Sequence, residues 1–72
     1  MAIGEWFLCD DSKSGVADFS ERVDRGPETA IKAKYHDAIR TGKILGMNAY
    51  LEDPEGNQFE WNTHTSMWVQ IG

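Results

Sequence analysis

The sequence predicts an α+β domain: one main helix over about residues 27–42, packed on an antiparallel sheet of four to five short strands. Three observations carry this. Residues 27–43, PETAIKAKYHDAIRTGK, show a helical stripe with a signal at each end. On either side lie runs of strand formers with period-two alternation. Clusters of Asp, Ser, Pro, Gly and Asn separate those runs. A helix over an antiparallel sheet is the economical way to bury both kinds of apolar face.

In the helix, Ile31, Tyr35, Ala38 and Ile39 recur at i, i+4, i+7 and i+8, one face of a 3.6-residue period. Ala30 and Ala33 widen that stripe. Pro27 suits the first helical position, where its missing N–H costs nothing. Glu28 meets the positive end of the helix dipole, and Arg40 and Lys43 lie toward the negative end. Gly42 can adopt the left-handed conformation that ends a helix. Glu28 and Lys32 form an i, i+4 pair worth about 0.3 kcal/mol. A helix of this length is marginal alone, so its stability must come from burying the apolar face.

Residues 3–9, centred on Trp6-Phe7-Leu8-Cys9, read as a strand that ends in the turn cluster Asp10-Asp11-Ser12-Lys13-Ser14-Gly15. Residues 16–23 fit two patterns. Ala17, Phe19 and Val23 share a strand face, while Val16, Phe19, Ser20 and Val23 fit a helical stripe capped by Ser14. The hairpin-like loop before them favours the strand. Residues 44–51 alternate as a strand, with Leu45, Met47, Ala49 and Leu51 on one face. Asp53-Pro54-Glu55-Gly56-Asn57 is a reversal. Residues 58–63 follow, with Phe59, Trp61 and Thr63 on one face. After a turn at Thr63-His64-Thr65-Ser66, residues 67–71 form a last short strand.

Length and composition narrow the function classes. The chain has 72 residues, which make a single domain, 1–72, with one small core. Such a chain buries only about 60% of its unfolded surface. One cysteine, Cys9, excludes an internal disulfide. With His36 and His64 as the other strong ligands, neither a metal site nor a cofactor is expected. The pattern suits a reducing compartment, and the expected location is a host cell's cytosol. No apolar run approaches the ~20 residues of a membrane span, and the N-terminus lacks the features of a signal peptide.

The net charge is −5, unevenly distributed. Residues 1–24 carry six acids and two bases, or −4; residues 25–43 carry two acids and five bases, or +3; residues 44–72 carry four acids and no Lys or Arg, or −4. A basic island in an acidic molecule argues against a general nucleic-acid binder. An acidic surface suits a basic protein surface, including one that normally holds nucleic acid. The expected partner-binding residues are therefore Asp10, Asp11, Asp18, Glu52, Asp53, Glu55 and Glu60, with Trp61 as an aromatic anchor. The alternative is the helix face of Lys32, His36, Arg40 and Lys43, joined by Lys34, which could grip a phosphate backbone. The same residues also read as an ordinary solvated face.

Other chemistry is weakly supported. Asp53, Glu55 and Asn57 alternate as calcium ligands do, but the sixth and twelfth loop positions are Gln58 and His64 instead of Gly and Glu. Cys9 with His36 or His64 could form a nucleophile and base, yet a thiol at the end of an apolar strand is commonly buried and inert. Glu60 and His64 have nothing to place them in a pocket. No glycine-rich phosphate loop is present. Phe59 and Trp61 fall on one face, as a base-stacking sheet would require, but Glu52, Asp53, Glu55 and Glu60 beside them would repel phosphates. No catalytic residue and no enzymatic activity are expected.

In length, lack of disulfides, acidity, aromatic richness and strand–helix–strand plan, the whole chain resembles small phage-encoded proteins that disable host machinery. These include anti-CRISPR proteins and small inhibitors of bacterial RNA polymerase. The resemblance carries over no individual residue. It implies a non-enzymatic inhibitor, monomeric or homodimeric, that binds a host protein complex handling nucleic acid and blocks nucleic-acid access or assembly. A CRISPR effector is the first target expected and RNA polymerase the second. No direct nucleic-acid or membrane contact is expected. The alternative of a different class is a small nucleic-acid-binding accessory module using the basic helix face. A small enzyme around Cys9 or His64 ranks last.

Overall fold

The computed structural model describes residues 4–13 and 22–72. In chain order it contains β1 (Trp6–Asp10), a 3₁₀ turn (Asp11–Lys13), β2 (Arg22–Gly26), α1 (Glu28–Arg40), β3 (Ala49–Glu52), β4 (Gln58–Asn62) and β5 (Met67–Gln70). The strands form one antiparallel sheet in the order β2-β1-β3-β4-β5. The fold is therefore α+β, one helix on a five-stranded sheet.

Register decides which residues meet the helix. Leu8 pairs with Leu51, and Leu51 with Phe59. Side chains alternate along a strand, so Trp6, Leu8, Ala49, Leu51, Phe59 and Trp61 share one face, and Trp68 joins them through its pairing with Trp61. α1 lies on this face. Ile31, Tyr35 and Ala38 are buried from the helix side against Leu8, Ala49 and Leu51, and Ile44 closes the cluster from the following loop. Ile39 is half-buried at the margin, as are Trp6, Val23, Phe59, Trp61 and Trp68. Phe7, Cys9, Tyr50, Glu52, Glu60, Val69 and Ile71 alternate to the outer face.

The helix is shorter than expected at both ends. Pro27 is the N-cap, with extended backbone (ψ 156°), and is not the first helical residue. Its carbonyl accepts the Ile31 N–H at 3.0 Å. At the other end Thr41 is already the cap; its N–H and its hydroxyl both donate to the Asp37 carbonyl at 2.9 Å. Gly42 takes φ +77°, which brings the Lys43 N–H onto the Ala38 carbonyl at 2.8 Å.

The expected strand over 44–51 forms only from Ala49 onward. Ile44 is drawn into the core, and the Asn48 and Ala49 N–H groups both donate to the Leu45 carbonyl, at 2.9 and 3.1 Å. That turn returns the chain from the helix cap to the sheet. It leaves Leu45 and Met47 in solvent, 62% and 87% exposed, although their spacing matched that of the buried Ala49 and Leu51. The strands expected over 3–9, 58–63 and 67–71 are found at Trp6–Asp10, Gln58–Asn62 and Met67–Gln70. Of 16–23, Arg22 and Val23 begin β2, and 16–21 lie outside the described residues, as does Ile3.

The reversal at 53–57 is as expected. The Asp53 carboxylate accepts the Glu55 N–H (2.9 Å), the Asn57 N–H (2.8 Å) and the Asn57 side-chain amide (3.0 Å). At the next turn Asn62 Oδ1 accepts the N–H groups of His64 and Thr65.

The β3–β4 ladder is short. It pairs Leu51 with Phe59 and Glu52 with Gln58, and the strands part beyond that. The Trp61 N–H is met there by the Tyr35 hydroxyl at 3.2 Å. A helix side chain thus supplies the acceptor that the neighbouring strand does not. Tyr35→Phe keeps the ring and removes that acceptor, so it is expected to cost about 1–3 kcal/mol in urea unfolding and to speed hydrogen exchange at the Trp61 amide. Ile31 is fully buried. Ile31→Val should cost about 0.5–1.5 kcal/mol and Ile31→Ala about 2–5 kcal/mol. Equal, small losses for the two would show that Ile31 does not anchor the core.

Candidate protein interface

The sheet sets Glu52 and Glu60 on the face opposite the helix bases. Glu60 and Trp61 are adjacent in β4 and so face opposite ways. Trp61 stands on the helix face, against the His36 ring (centroids 4.7 Å apart) and the Trp68 ring (5.2 Å). It does not belong to an acidic surface.

The acidic residues divide by what each one already does. Asp10 is buried at 8% exposure, and its Oδ1 accepts the N–H (2.9 Å) and the hydroxyl (2.6 Å) of Ser12. Its carboxylate holds the turn after β1. Asp53 holds the turn after β3 in the same way. Partial burial pushes its carboxyl upward, but hydrogen bonds from Asn57, Glu55 and Gly56 outweigh this and hold it below the usual aspartate value. Glu52 is paired with Arg22 at 2.6 Å, and the Arg22 guanidinium also lies over the Phe7 ring at 4.1 Å. Asp18 lies outside the described residues. Asp11, Glu55 and Glu60 are exposed, and among the described residues no cation pairs with them.

Two of these three meet. Asp11 and Glu60 line an open depression of about 380 Å³ on the outer sheet face, with Met47, Tyr50, Gln58 and Ile71. Asp11 reaches the depression because its N–H donates to the Asn48 carbonyl, just before β3, at 2.8 Å, and Glu60 enters it from β4. Val69 lies across from Glu60 in the β4–β5 ladder, 39% exposed, and Ile71 beyond it is 49% exposed. The result is an apolar strip flanked by carboxylates. Met47, read from the sequence only as a strand-face residue, and Met67, Val69 and Ile71 are not among the residues expected to bind a partner. For the last three the signal was present: MWVQ and the isoleucine after it carry no charge on either face.

The basic candidates are largely balanced by acids on the helix or beside it. Lys32 pairs with Glu28 at 2.6 Å, Arg40 with Asp37, and Lys34 with Asp24 at 3.0 Å. The Lys34 hydrogen bond, with the Arg25 N–H, holds the Asp24 carboxyl below its ordinary value. The Lys32 ammonium also lies over the rings of Trp6 (5.3 Å) and Trp68 (5.6 Å). Lys43 is exposed and borders a cleft that also holds Asp24 and Asp37. His36 and Arg40 line a groove of about 380 Å³ with Tyr35, Ile39 and Trp61.

Cys9 is buried at 1% exposure on the outer side of β1, while His36 rides on the helix against Trp61 and Trp68. The sheet lies between them, so they do not form a nucleophile–base pair. His64 sits exposed in the β4–β5 turn. Among the described residues no group of three or more His, Cys, Asp or Glu side chains could hold a metal ion. No helix among them is long and apolar enough to cross a membrane.

No family model, no curated protein and no solved structure matches the chain.

Because the folded Asp53 carboxyl is lowered, its stabilising effect is complete above the ordinary aspartate value and is lost as pH falls through the folded value. Thermal melts of the wild type should therefore steepen in their loss below about pH 4. Asp53→Asn should start less stable at neutral pH and lose less on acidification. Parallel acid limbs for the two proteins would remove the turn carboxylate from the account.

Proposed function

We propose that this protein is a non-enzymatic, phage-type inhibitor that docks the outer face of its sheet on a basic surface of a host complex handling nucleic acid. Docking there blocks nucleic-acid access or assembly. A CRISPR effector is the first target class and RNA polymerase the second. The observation that carries the reading is the outer face: Asp11 and Glu60 stand without a basic partner among the described residues, beside the exposed apolar groups Met47, Val69 and Ile71. Unpaired carboxylates around an apolar strip suit a partner with complementary cations and some apolar area. The helix cations support the same choice, since Lys32, Lys34 and Arg40 already have acidic partners. Within the expected acidic set, weight moves to Asp11, Glu55 and Glu60, because Asp10 and Asp53 hold turns and Glu52 holds Arg22.

The test is capture by tagged protein from bacterial lysate, with and without nuclease, followed by affinity measurement on the recovered complex. Recovery of one nucleic-acid machine in both samples is expected. Asp11→Lys with Glu60→Lys should weaken binding about tenfold or more and flatten its salt dependence, while Lys32→Ala with Arg40→Ala changes little. Unchanged affinity in the charge-reversed protein would sink the acidic-face reading. Recovery only without nuclease would transfer the function to the basic helix face and its neighbouring tryptophans.

A further inference from the structure

Among the described residues no strand pairs with the outer side of β5, and its sequence does nothing to protect that edge. Met67–Gln70 reads MWVQ, with no charge and no proline. The N–H of Ile71, the next residue, turns inward to the Gln58 carbonyl at 2.7 Å. Backbone groups alternate in direction along an antiparallel strand, so the N–H and C=O of Trp68 and Gln70 point away from β4. Met67 (62% exposed), Val69 and Ile71 stand in a row on the outer face. Edge strands normally carry Lys, Pro or a bulge that discourages an added strand. The opposite edge does so: β2 reads RVDRG, and its ladder with β1 shifts register between Leu8 and Cys9.

We propose that β5 pairs antiparallel with β5 of a second copy, about a two-fold axis at Val69, to form a homodimer with a continuous ten-stranded sheet. In this register Trp68 of each copy exchanges N–H···O bonds with Gln70 of the other. Val69 then meets Val69 across the axis, and Met67 meets Ile71 on either side, so the exposed row packs on itself. Charge favours a second copy as the occupant. Each chain carries −5, yet the seam itself is neutral. The nearest carboxylate, Glu60, lies one strand behind Val69. The two Glu60 residues would face each other across three strand spacings, roughly 14 Å. That exceeds the ~8 Å over which charges are felt at physiological salt. The pairing also closes, because the charged β2 edge offers no matching surface for a further β5. The dimer does not rest on the inhibitor reading; it would set two outer faces side by side.

The test is mass measurement by light scattering and sedimentation on the full chain over a dilution series. The wild type should move from 8.1 kDa toward twice that mass as concentration rises. Gln70→Pro removes an outward-pointing N–H and leaves the bonds to β4 in place, as an edge strand allows. Val69→Lys sets two like charges on directly opposed positions, with Cβ atoms about 5 Å apart across the axis. Each variant should raise the dimer dissociation constant at least tenfold with an unchanged far-ultraviolet dichroism spectrum, and if one unfolds the other decides. A wild type of 8.1 kDa at every concentration would overturn the proposal. So would a dimer that persists in both variants. A monomer whose partner binding is lost in Gln70→Pro would assign the edge to a foreign strand instead.

Discussion

Tyr35 is the side chain on which both halves of this sheet depend. Its ring is buried in the core with Ile31, Leu8 and Leu51, beneath the middle of the helix. Its edge meets the Trp68 ring at 4.8 Å, and its hydroxyl takes the Trp61 N–H where β4 has parted from β3. Burial, followed by the nearby Glu60 charge, pushes the phenol above its ordinary value, while the Trp61 hydrogen bond acts the other way. The phenol therefore stays neutral at physiological pH and can accept that N–H without burying a charge. A phenylalanine would fill the same space and leave a backbone donor unmatched.

The reason so much falls to one residue is dimensional. An α-helix with its side chains is about 10 Å across, and five strands span roughly 20 Å from first to last. One helix cannot roof that sheet. α1 covers the side made of β2, β1 and β3, where the buried aliphatic residues lie. Over β4 and β5 the roof is Trp61 and Trp68, packed edge to face with Tyr35 and His36. Large rings suit that work because each buries much area without a second helix. The aromatic richness of so short a chain is thus a packing requirement of an under-roofed sheet, and base stacking need not be invoked to explain it.

Much of this was legible in the residues, and the exceptions have physical causes. The helix was readable because Ile31, Tyr35 and Ala38 bury the face that their period predicts. The 53–57 reversal was readable because Asp53, Gly56 and Asn57 each have a local job. Residues 44–48 misled because Leu45 and Met47 continue the alternation of β3 without joining it. The helix cap had to be closed first, and its geometry overrode the pattern. The candidate site was readable only as a charge excess. Sequence does not show that Asp10 and Asp53 are occupied by their own turns, or that Arg22 reaches Glu52 from 30 positions away. Trp61 is next to Glu60 in the sequence, but adjacent strand residues face opposite ways, so the sheet sets the two apart.

That same alternation gives the two sheet faces different chemistry. On the helix side, cations and rings stand together: Lys32 over Trp6 and Trp68, His36 against Trp61. Each cation there that has an acidic partner takes it from the helix itself or the neighbouring strand. On the other side, Arg22 neutralises Glu52 at one end, and beyond it no cation pairs with Glu60 or Asp11 among the described residues. A field of one sign over a partly apolar surface adds little to the stability of the fold and something to its cost through self-repulsion. Under the proposed function its effect lies outside the chain, in attracting and orienting an oppositely charged surface. Of the four acids in residues 44–72, Asp53 and Glu52 therefore belong to how the sheet is built, and only Glu55 and Glu60 are left for the surface that the proposed function uses.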